Sequence, residues 1–445
     1  MLTTMPAPQS GPRTHALSQT RQLENLSLRT ASLFVTPSVA PRNHRYSALV
    51  HRALLERGNH LLGAVAETPS ATHPATVRLI PPLLNQRLVA ASSRAEAAAV
   101  AREEFAMRED AACELNQRIR NFGFNHGMQV FLGGFGIAAH GLPDYVIEGF
   151  LEVVVTDLSK SRWQFGLAAL GGSELGVHQF AVDRAAEAIA LLGVGGARFA
   201  VMFGDAAHTP FCPCAQHSEA IEGLAIGMSS PGLLYDALQS EPRADLAEEA
   251  VYQAQFKALL IASAVGSAVA NKLGVRYWGC DPSQAPVFDP QEPRRQSIGA
   301  VIEQLSGVPL GLAGTKDGFY RLMRALRSAG ANSGVRLCGF INGSFLPVAE
   351  DAVVAAAVAA GTLSYSGILS LCHVCAAGID MAVIEPGTSP LKIAHVLRDV
   401  AATHLLKGKA LAARLIVPGR DTPTDGRGYY VFGGLLGSAP VLPLD

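Results

Sequence analysis

Continuous apolar segments that alternate with long helical patterns constrain the fold of this 445-residue chain more than any other feature. Four such segments are "FLEVVVTDL", "ARFAVMFG", "VRYWGCD" and "LAARLIVPG". A strand that is apolar along its whole length is buried on both faces, which is typical of parallel sheets covered by helices. The pattern therefore predicts an α/β fold.

Helix-start signals support the same fold class. Ser93 and Glu96 have the spacing of a capping box at the start of a long helical pattern, and Gly123 follows its last turn. Ser389 and Pro390 begin another helix, which Gly408 ends. With roughly eight to ten strand–helix units, we expect a large, mainly parallel α/β barrel of about ten strands.

We expect residues 23–445 to form a single barrel domain. The first 22 residues, "MLTTMPAPQSGPRTHALSQTRQ", lack the apolar core of a secretory signal and are predicted to be a disordered tail. The seven cysteines are an odd number spread along a long chain. Together these features predict a cytoplasmic protein with free thiols.

The composition also limits the classes of partner. Only 16% of the residues are charged and the net charge is −1, which argues against nucleic acid as a ligand. The segment 353–372 has the length of a membrane span, but its glycines, serines and tyrosine favour two shorter buried elements, so no membrane is expected. A chain this apolar is compatible with a homodimer, and a small molecule is the expected ligand.

A first candidate site lies in "GDAAHTPFCPCAQHSEAIEG", directly after a predicted strand. His208, Cys212, Cys214 and His217 have the spacing H-x₃-C-x-C-x₂-H, and such ligands suit zinc or ferrous iron. The spacing matches no standard zinc finger. The alternative is a polar loop with incidental cysteines.

Two further candidates follow predicted strands or open helices. Asp281 ends the strand "VRYWGCD", where an aspartate can bind a metal or act as a base, or simply cap the turn. Gly314, Lys316 and Arg321 belong to "GLAGTKDGFYRLMRAL", where a glycine-rich turn at a helix start can hold an anionic group of a substrate. The alternative for that turn is an ordinary helix cap with an exposed lysine.

The stretch "LCHVCAAGID" contains Cys372, Cys375 and Asp380. A lone C-x-x-C is a weak indication of zinc or redox chemistry. Cys375 could serve as a nucleophile, thiyl carrier or metal ligand beside Asp380, and the alternative is an ordinary buried thiol.

The chain resembles the domain of unknown function 711 family, which is related to uncharacterised protein family 0210. The resemblance is carried by "VRYWGCDPSQAP", "VPLGLAGTKDGFYRLMRAL" and, most specifically, "VCAAGID" followed by "PGTS". It is dense from about residue 250 to 420 and implies a barrel like those of pyruvate formate-lyase and ribonucleotide reductase. By position it also implies roles for Cys375, Asp380, Asp281 and His217. The chain departs from the family at Cys212, Cys214, Lys316 and Thr388, which suggests a specialised member.

These observations predict an enzyme that acts on a small polar, amino-acid-like or carboxylated metabolite at the mouth of the barrel. Cys375, Asp380, Asp281 and Lys316 are its candidate catalytic residues. Metal- or thiol-assisted lyase, hydrolytic and redox chemistry all remain open. A glycyl-radical enzyme is not expected, because the sequence around Gly428 lacks the required pattern. The alternative is a non-catalytic metal- or ligand-binding sensor that uses the loop from His208 to His217.

Overall fold

The computed structural model describes most of the chain. The described residues are 28–36, 46–69, 72–124, 128–157, 165–168, 177–217, 221–341, 343–374, 376–434 and 436–444. The predicted tail, residues 1–22, and Cys375 lie outside them.

Strands and helices alternate along the described chain. The strands are β1 (Leu28–Phe34), β2 (Thr76–Ile80), β3 (Gln129–Leu132), β4 (Phe165–Ala168), β5 (Phe199–Phe203), β6 (Gly223–Met228), β7 (Arg276–Asp281), β8 (Gly378–Val383), β9 (Leu411–Ile416), β10 (Tyr429–Tyr430) and β11 (Ser438–Ala439). The α-helices are α1 (Tyr46–Ala66), α2 (Asn85–Leu88), α3 (Arg94–Arg118), α4 (Asp144–Asp157), α5 (Gln179–Leu192), α6 (Pro231–Ser240), α7 (Ala247–Leu273), α8 (Ile298–Ser306), α9 (Thr315–Ser333), α10 (Ala352–Ala359), α11 (Tyr365–Val374) and α12 (Pro390–Lys407).

The longer strands form two sheets. Together with the helices they give the α/β class that the sequence predicts. The first sheet has the order β3-β2-β1-β6-β7 and the second β4-β5-β9-β8. Neighbouring strands are parallel except for β1 with β6 and β5 with β9. Leu33, for example, pairs with Leu79 in the parallel direction and with Leu224 in the antiparallel direction.

The two antiparallel pairings correct one expectation. The hypothesis of a mainly parallel barrel places the strand ends that carry the candidate residues at one rim. In the structure, β1 and β6 run in opposite directions, as do β5 and β9. The carboxyl ends of β3, β2 and β1 therefore lie at one end of the first sheet and those of β6 and β7 at the other, and β4 and β5 are separated from β9 and β8 in the same way. Residues that follow different strands are therefore not automatically brought together.

Three isolated parallel bridges connect the edges of the two sheets. Cys280 of β7 bridges to Leu337, Gln284 to Ser344, and Ser344 to Ala376, which lies just before β8. The segment that contains Leu337 and Ser344 thus lies between β7 and β8. These are single bridges rather than a continuous ladder.

Both faces of the first sheet are buried, which explains its apolar strands. Leu33 and Leu79 pack into the large core shared with the helices, whereas Phe34 and Ile80 pack on the opposite face with Trp278. Successive side chains of a strand point to opposite faces, so a strand buried on both sides needs apolar residues at consecutive positions.

Local sequence signals set the helix starts as predicted. The hydroxyl of Ser93 accepts a hydrogen bond from the backbone N–H of Glu96, and that of Ser389 from Lys392. Gly408 ends α12 in the left-handed conformation that glycine favours. The segment 353–372 forms parts of two short helices, α10 and α11. One described helix, α7, is long and apolar enough to cross a membrane, and 44% of its most apolar window is buried inside the protein.

Candidate functional site

The loop that follows β5 lies between the two sheets. Cys212 packs with Phe34 and Trp278 on the inner face of the first sheet. Cys214 packs with Met202 of β5 and with Phe340 on the side of the second sheet. The two cysteines of the C-x-C pair therefore face opposite sheets.

Hydrogen bonds fix this loop to the first sheet. The carbonyl oxygen of Pro210 accepts hydrogen bonds from Ser32 Oγ of β1 at 3.1 Å and from Arg78 Nη1 of β2 at 2.8 Å. Gly133, which follows β3, makes room for the thiol, because a Cβ atom at that position would lie 2.5 Å from Cys212 Sγ. The loop is thus an ordered part of the interior.

Beside this loop is a cavity lined by residues from both sheets. Its free space, including the opening to solvent, is about 610 Å³. The charged residues that line it are Arg29, Arg78, Glu350, Asp380 and Arg414. The thiols and aromatic rings that line it are Cys212, Cys214, Phe211, Phe340 and Phe345.

Strand alternation places two of the arginines in this cavity. In β2, Val77 and Leu79 pack into the helix-covered core, so Arg78 between them faces inward. In β9, Ala413 and Leu415 do the same, so Arg414 faces the cavity from the second sheet.

Arg414 holds a largely buried ion pair with Asp380, and the two side chains are 9% and 14% exposed. Its Nε and Nη2 atoms lie 2.5 and 2.9 Å from the two carboxylate oxygens of Asp380. Glu350 lies 3.8 Å from Arg414 and 3.8 Å from Arg29. Burial acts to lower the pKa of Arg414, but Asp380 and Glu350 together outweigh it and raise that pKa. The guanidinium of Arg414 is therefore charged and already paired.

Arg78 is buried without such a pair. The residue is 4% exposed, and its Nε atom has no hydrogen-bond partner among the described residues. Burial lowers the pKa of Arg78, and the electrostatic influences on it come from Cys212, Arg29 and Arg414 rather than from a carboxylate. A buried charge without a counterion is costly, and cavities with such groups are frequent ligand sites.

Both cavity thiols are held in the neutral form. Burial raises the pKa of Cys212, which Arg78 partly opposes. Burial raises the pKa of Cys214 to about 12. At neutral pH the two thiols add no charge to the cavity.

Asp281 lies next to the cavity rather than in its lining. Its carboxylate accepts hydrogen bonds from the backbone N–H groups of Ser283 at 3.1 Å and Phe340 at 2.8 Å, and from Thr209 Oγ1 at 3.4 Å. Burial raises the pKa of Asp281 to about 6. Asp281 thus connects β7 to the two segments that supply Phe211 and Phe340 to the cavity.

The two candidate histidine ligands lie elsewhere. The ring of His208 stacks on Trp278 with centroids 3.8 Å apart, and the ring of His217 lies 5.8 Å from the same indole. His217 Nε2 is 2.8 Å from Thr36 Oγ1. In the part of the chain that the structure describes, no group of three His, Cys, Asp or Glu residues is arranged to hold a metal ion. Zinc or iron binding by this loop stays a prediction.

The predicted anion-binding turn lies on an outer helix. Lys316 is exposed on α9, and its Nζ donates to Ser370 Oγ at 3.2 Å. Arg321 donates to the carbonyl oxygens of Leu305 and Ala244. Neither residue, nor Gly314, lines the cavity.

The "LCHVCAAGID" stretch reaches the cavity through Asp380. Cys375 lies outside the described residues. Cys372 is buried in α11, and burial raises its pKa to about 12.

Sequence reasoning missed four of the charged residues in the cavity. These are Arg29, Arg78, Glu350 and Arg414. A signal was present for two of them: in "TVRLI" and "LAARLI" a single arginine interrupts a buried apolar strand. Such a residue needs a counterion, a ligand or a hydrogen-bonded position inside the protein.

Comparisons with known proteins give the family. A family model described as "Uncharacterised ACR (DUF711)" matches residues 22–423. A UPF0210 protein of Pyrobaculum islandicum is 30% identical over 346 residues, covering 76% of this chain and 74% of that protein. A UPF0210 protein of Methanocaldococcus jannaschii is 28% identical over 328 residues, covering 71% and 69%.

A solved structure is similar only at low level. The anaerobic ribonucleotide reductase from Thermotoga maritima, in complex with dATP and CTP, aligns with 8% identity and a TM-score of 0.44, covering 88% of this chain and 75% of that one. The family match, in contrast, covers nearly all of the chain beyond its first residues. The protein belongs to the DUF711 family of uncharacterised proteins.

Proposed function

We propose that this protein is an enzyme that acts on a small carboxylated metabolite bound in the cavity between the two sheets. The observation that carries the proposal is Arg78, a guanidinium that is 4% exposed, lines the cavity and has an Nε atom without a partner among the described residues. A planar guanidinium matches the geometry of a carboxylate, with which it forms two parallel hydrogen bonds.

The other residues of the cavity have roles that follow from their contacts. Arg414, held by Asp380, forms a fixed positive wall, and Arg29, whose side chain is 28% exposed, lies at the more open side. Glu350 is the remaining group able to move a proton, and Cys212, which is less buried than Cys214, is the thiol better placed to react. Lyase, hydrolytic and redox reactions remain candidates, since this set serves each of them.

Ligand binding tests the first half of the proposal. Isothermal titration calorimetry with a panel of small carboxylates and their neutral amides is expected to find carboxylates that bind and amides that do not. Replacing Arg78 by Met is expected to weaken binding about 30-fold or more, because losing one partner of a buried charge pair costs about 2–5 kcal/mol. Arg78→Lys, which keeps the charge, is the matched variant and should lose less affinity.

Turnover tests the second half. A carboxylate that binds is incubated with the protein and followed by proton NMR. Conversion that Arg78→Met abolishes supports an enzyme. A bound carboxylate that stays unchanged indicates a non-catalytic binding protein, and equal binding of acids and amides contradicts the carboxylate site itself.

We also propose that the two sheets are halves of one barrel of about ten strands, like that of pyruvate formate-lyase and ribonucleotide reductase. The support is the position of the segment with Leu337 and Ser344, which bridges β7 on one side and the start of β8 on the other. A crystal structure would test this: a continuous parallel strand in that segment is expected, and an open gap between β7 and β8 would contradict it.

A further inference from the structure

We propose that the cavity selects a monocarboxylate whose carboxylate is joined to an apolar group, and this rests on the function proposed above. Two features of the lining carry the inference. One is the number of fixed charges. The other is an aromatic wall beside Arg78, formed by the rings of Phe211, Phe340 and Phe345.

The charges leave room for one negative group. Three guanidinium groups, those of Arg29, Arg78 and Arg414, face two carboxylates, those of Glu350 and Asp380, so the excess is one positive charge. The thiols are neutral. Arg414 is paired with Asp380, and Glu350 lies between Arg29 and Arg414. A ligand with one negative charge neutralises the cavity, whereas a second carboxylate would be buried beside Glu350 without a free counterion.

The aromatic wall defines the rest of the ligand. The rings of Phe211 and Phe345 are 4.8 Å apart, and those of Phe340 and Phe345 are 5.3 Å apart. Phenyl rings offer no hydrogen bond to a second polar group, and they favour aromatic or aliphatic parts of a ligand.

The arginine and the wall are close together in the fold. Arg78 donates to the carbonyl of Pro210, and Phe211 is the next residue of the same loop. The carboxylate and the apolar group must therefore be separated by few bonds. Phenylacetate, in which one methylene joins a carboxylate to a phenyl ring, has this arrangement.

The experiment is a calorimetric titration of the full-length chain with phenylacetate, phenylacetamide, malonate and inorganic phosphate. Phenylacetate is expected to bind about tenfold or more tightly than malonate, and phenylacetamide is expected not to bind. Tighter binding of malonate overturns the monocarboxylate class and leaves the carboxylate site in place, whereas tighter binding of phosphate contradicts the carboxylate site as well. If none of the anions binds, or if Arg78→Met changes nothing, the proposed function itself fails.

A second variant tests the aromatic wall. Phe345→Ala is expected to weaken phenylacetate about tenfold while it leaves acetate unchanged, because only phenylacetate reaches the ring. Phe345→Leu keeps an apolar side chain and serves if the alanine variant does not fold, as judged by circular dichroism. An equal loss for acetate and phenylacetate would show that Phe345 supports the fold rather than the ligand, which overturns the aromatic part of the inference.

Discussion

The carboxylate of Asp281 accepts a hydrogen bond from the backbone N–H of Phe340 at 2.8 Å, deep inside the protein. This contact fixes the segment after residue 336 to the end of β7, and Phe340 in turn lines the cavity. Gly339 allows the approach: a Cβ atom there would lie 2.0 Å from Asp281 Oδ2, and its φ of +79° is one that glycine tolerates. A buried carboxylate in such a position makes stability depend on pH.

The first prediction concerns that pH dependence. Burial raises the pKa of Asp281 to about 6 from its ordinary value of 3.8, so between these values the folded protein binds more protons than the unfolded chain. The contribution of Asp281 to the free energy of unfolding is fully present at low pH. It falls by about 3 kcal/mol in total as the pH rises through about 6. Asp281→Asn should remove that part of the slope in urea unfolding curves measured from about pH 4 to pH 6, the window between the two pKa values.

Asp110→Asn, on an exposed position of α3, is the matched control and should keep the wild-type slope. If the Asp281 and Asp110 variants depend on pH in the same way, the carboxylate at 281 is not the group that titrates.

Local signals in the sequence were enough to place several helices. A helix-start signal depends only on residues close to it in the sequence. The structure confirms the two helix starts predicted from Ser93 with Glu96 and from Ser389 with Pro390. Residues that depend on distant neighbours were harder to place. In "FLEVVVTDL", expected as a strand, residues 150–157 form the end of α4, because an uninterrupted apolar run fits a buried helix as well as a buried strand.

Two strands, β6 and β8, were not predicted from the sequence, and both begin at a glycine. β6 begins at Gly223, where a Cβ atom would meet the ring of Trp278, and β8 begins at Gly378, where it would meet the carbonyl of Ala412. Both glycines allow a close approach between elements far apart in the chain, which nothing local in the sequence shows.

The candidate site was predicted only in part, for the same reason. Cys212, Cys214 and Asp380 line the cavity, whereas Lys316, chosen from a helix-start pattern, lies outside it. The position of Arg78 depends on strand alternation in β2 and on the loop that crosses between the sheets. That loop is brought there by long-range packing.

The second prediction concerns the pair of Arg414 and Asp380. Arg414→Met leaves the largely buried Asp380 without its partner, and breaking a buried pair from one side costs up to about 3–5 kcal/mol. The double variant Arg414→Met with Asp380→Leu removes both charges and should recover much of that loss. Chemical denaturation of the two single variants and the double variant measures the coupling. If the two single losses simply add in the double variant, the pair is not coupled.

The third prediction concerns the space that Gly133 provides for Cys212. Gly133→Ala places a methyl group 2.5 Å from Cys212 Sγ and 2.6 Å from Ile80 Cδ1, so it should destabilise the protein by about 1–3 kcal/mol. Gly63→Ala, in the interior of α1, is the control, because its nearest neighbour would be 3.7 Å away and alanine favours helix. Thermal unfolding should give opposite signs for the two variants. A neutral Gly133→Ala would mean that the loop does not press against β3.

The fourth prediction concerns thiol reactivity. Cys113 is exposed, whereas Cys214, Cys280, Cys338 and Cys372 are buried with raised pKa values. Since the thiolate is the reactive form, iodoacetamide at neutral pH should modify Cys113 first and leave the four buried thiols intact in the folded protein.

Cys212 is only partly buried and should react more slowly than Cys113, and a carboxylate bound at Arg78 should protect it. Peptide mass spectrometry after timed quenching measures each site, with urea-unfolded protein as the control in which all seven thiols react. Early modification of Cys214 in the folded protein would contradict the buried, neutral thiol that the cavity requires.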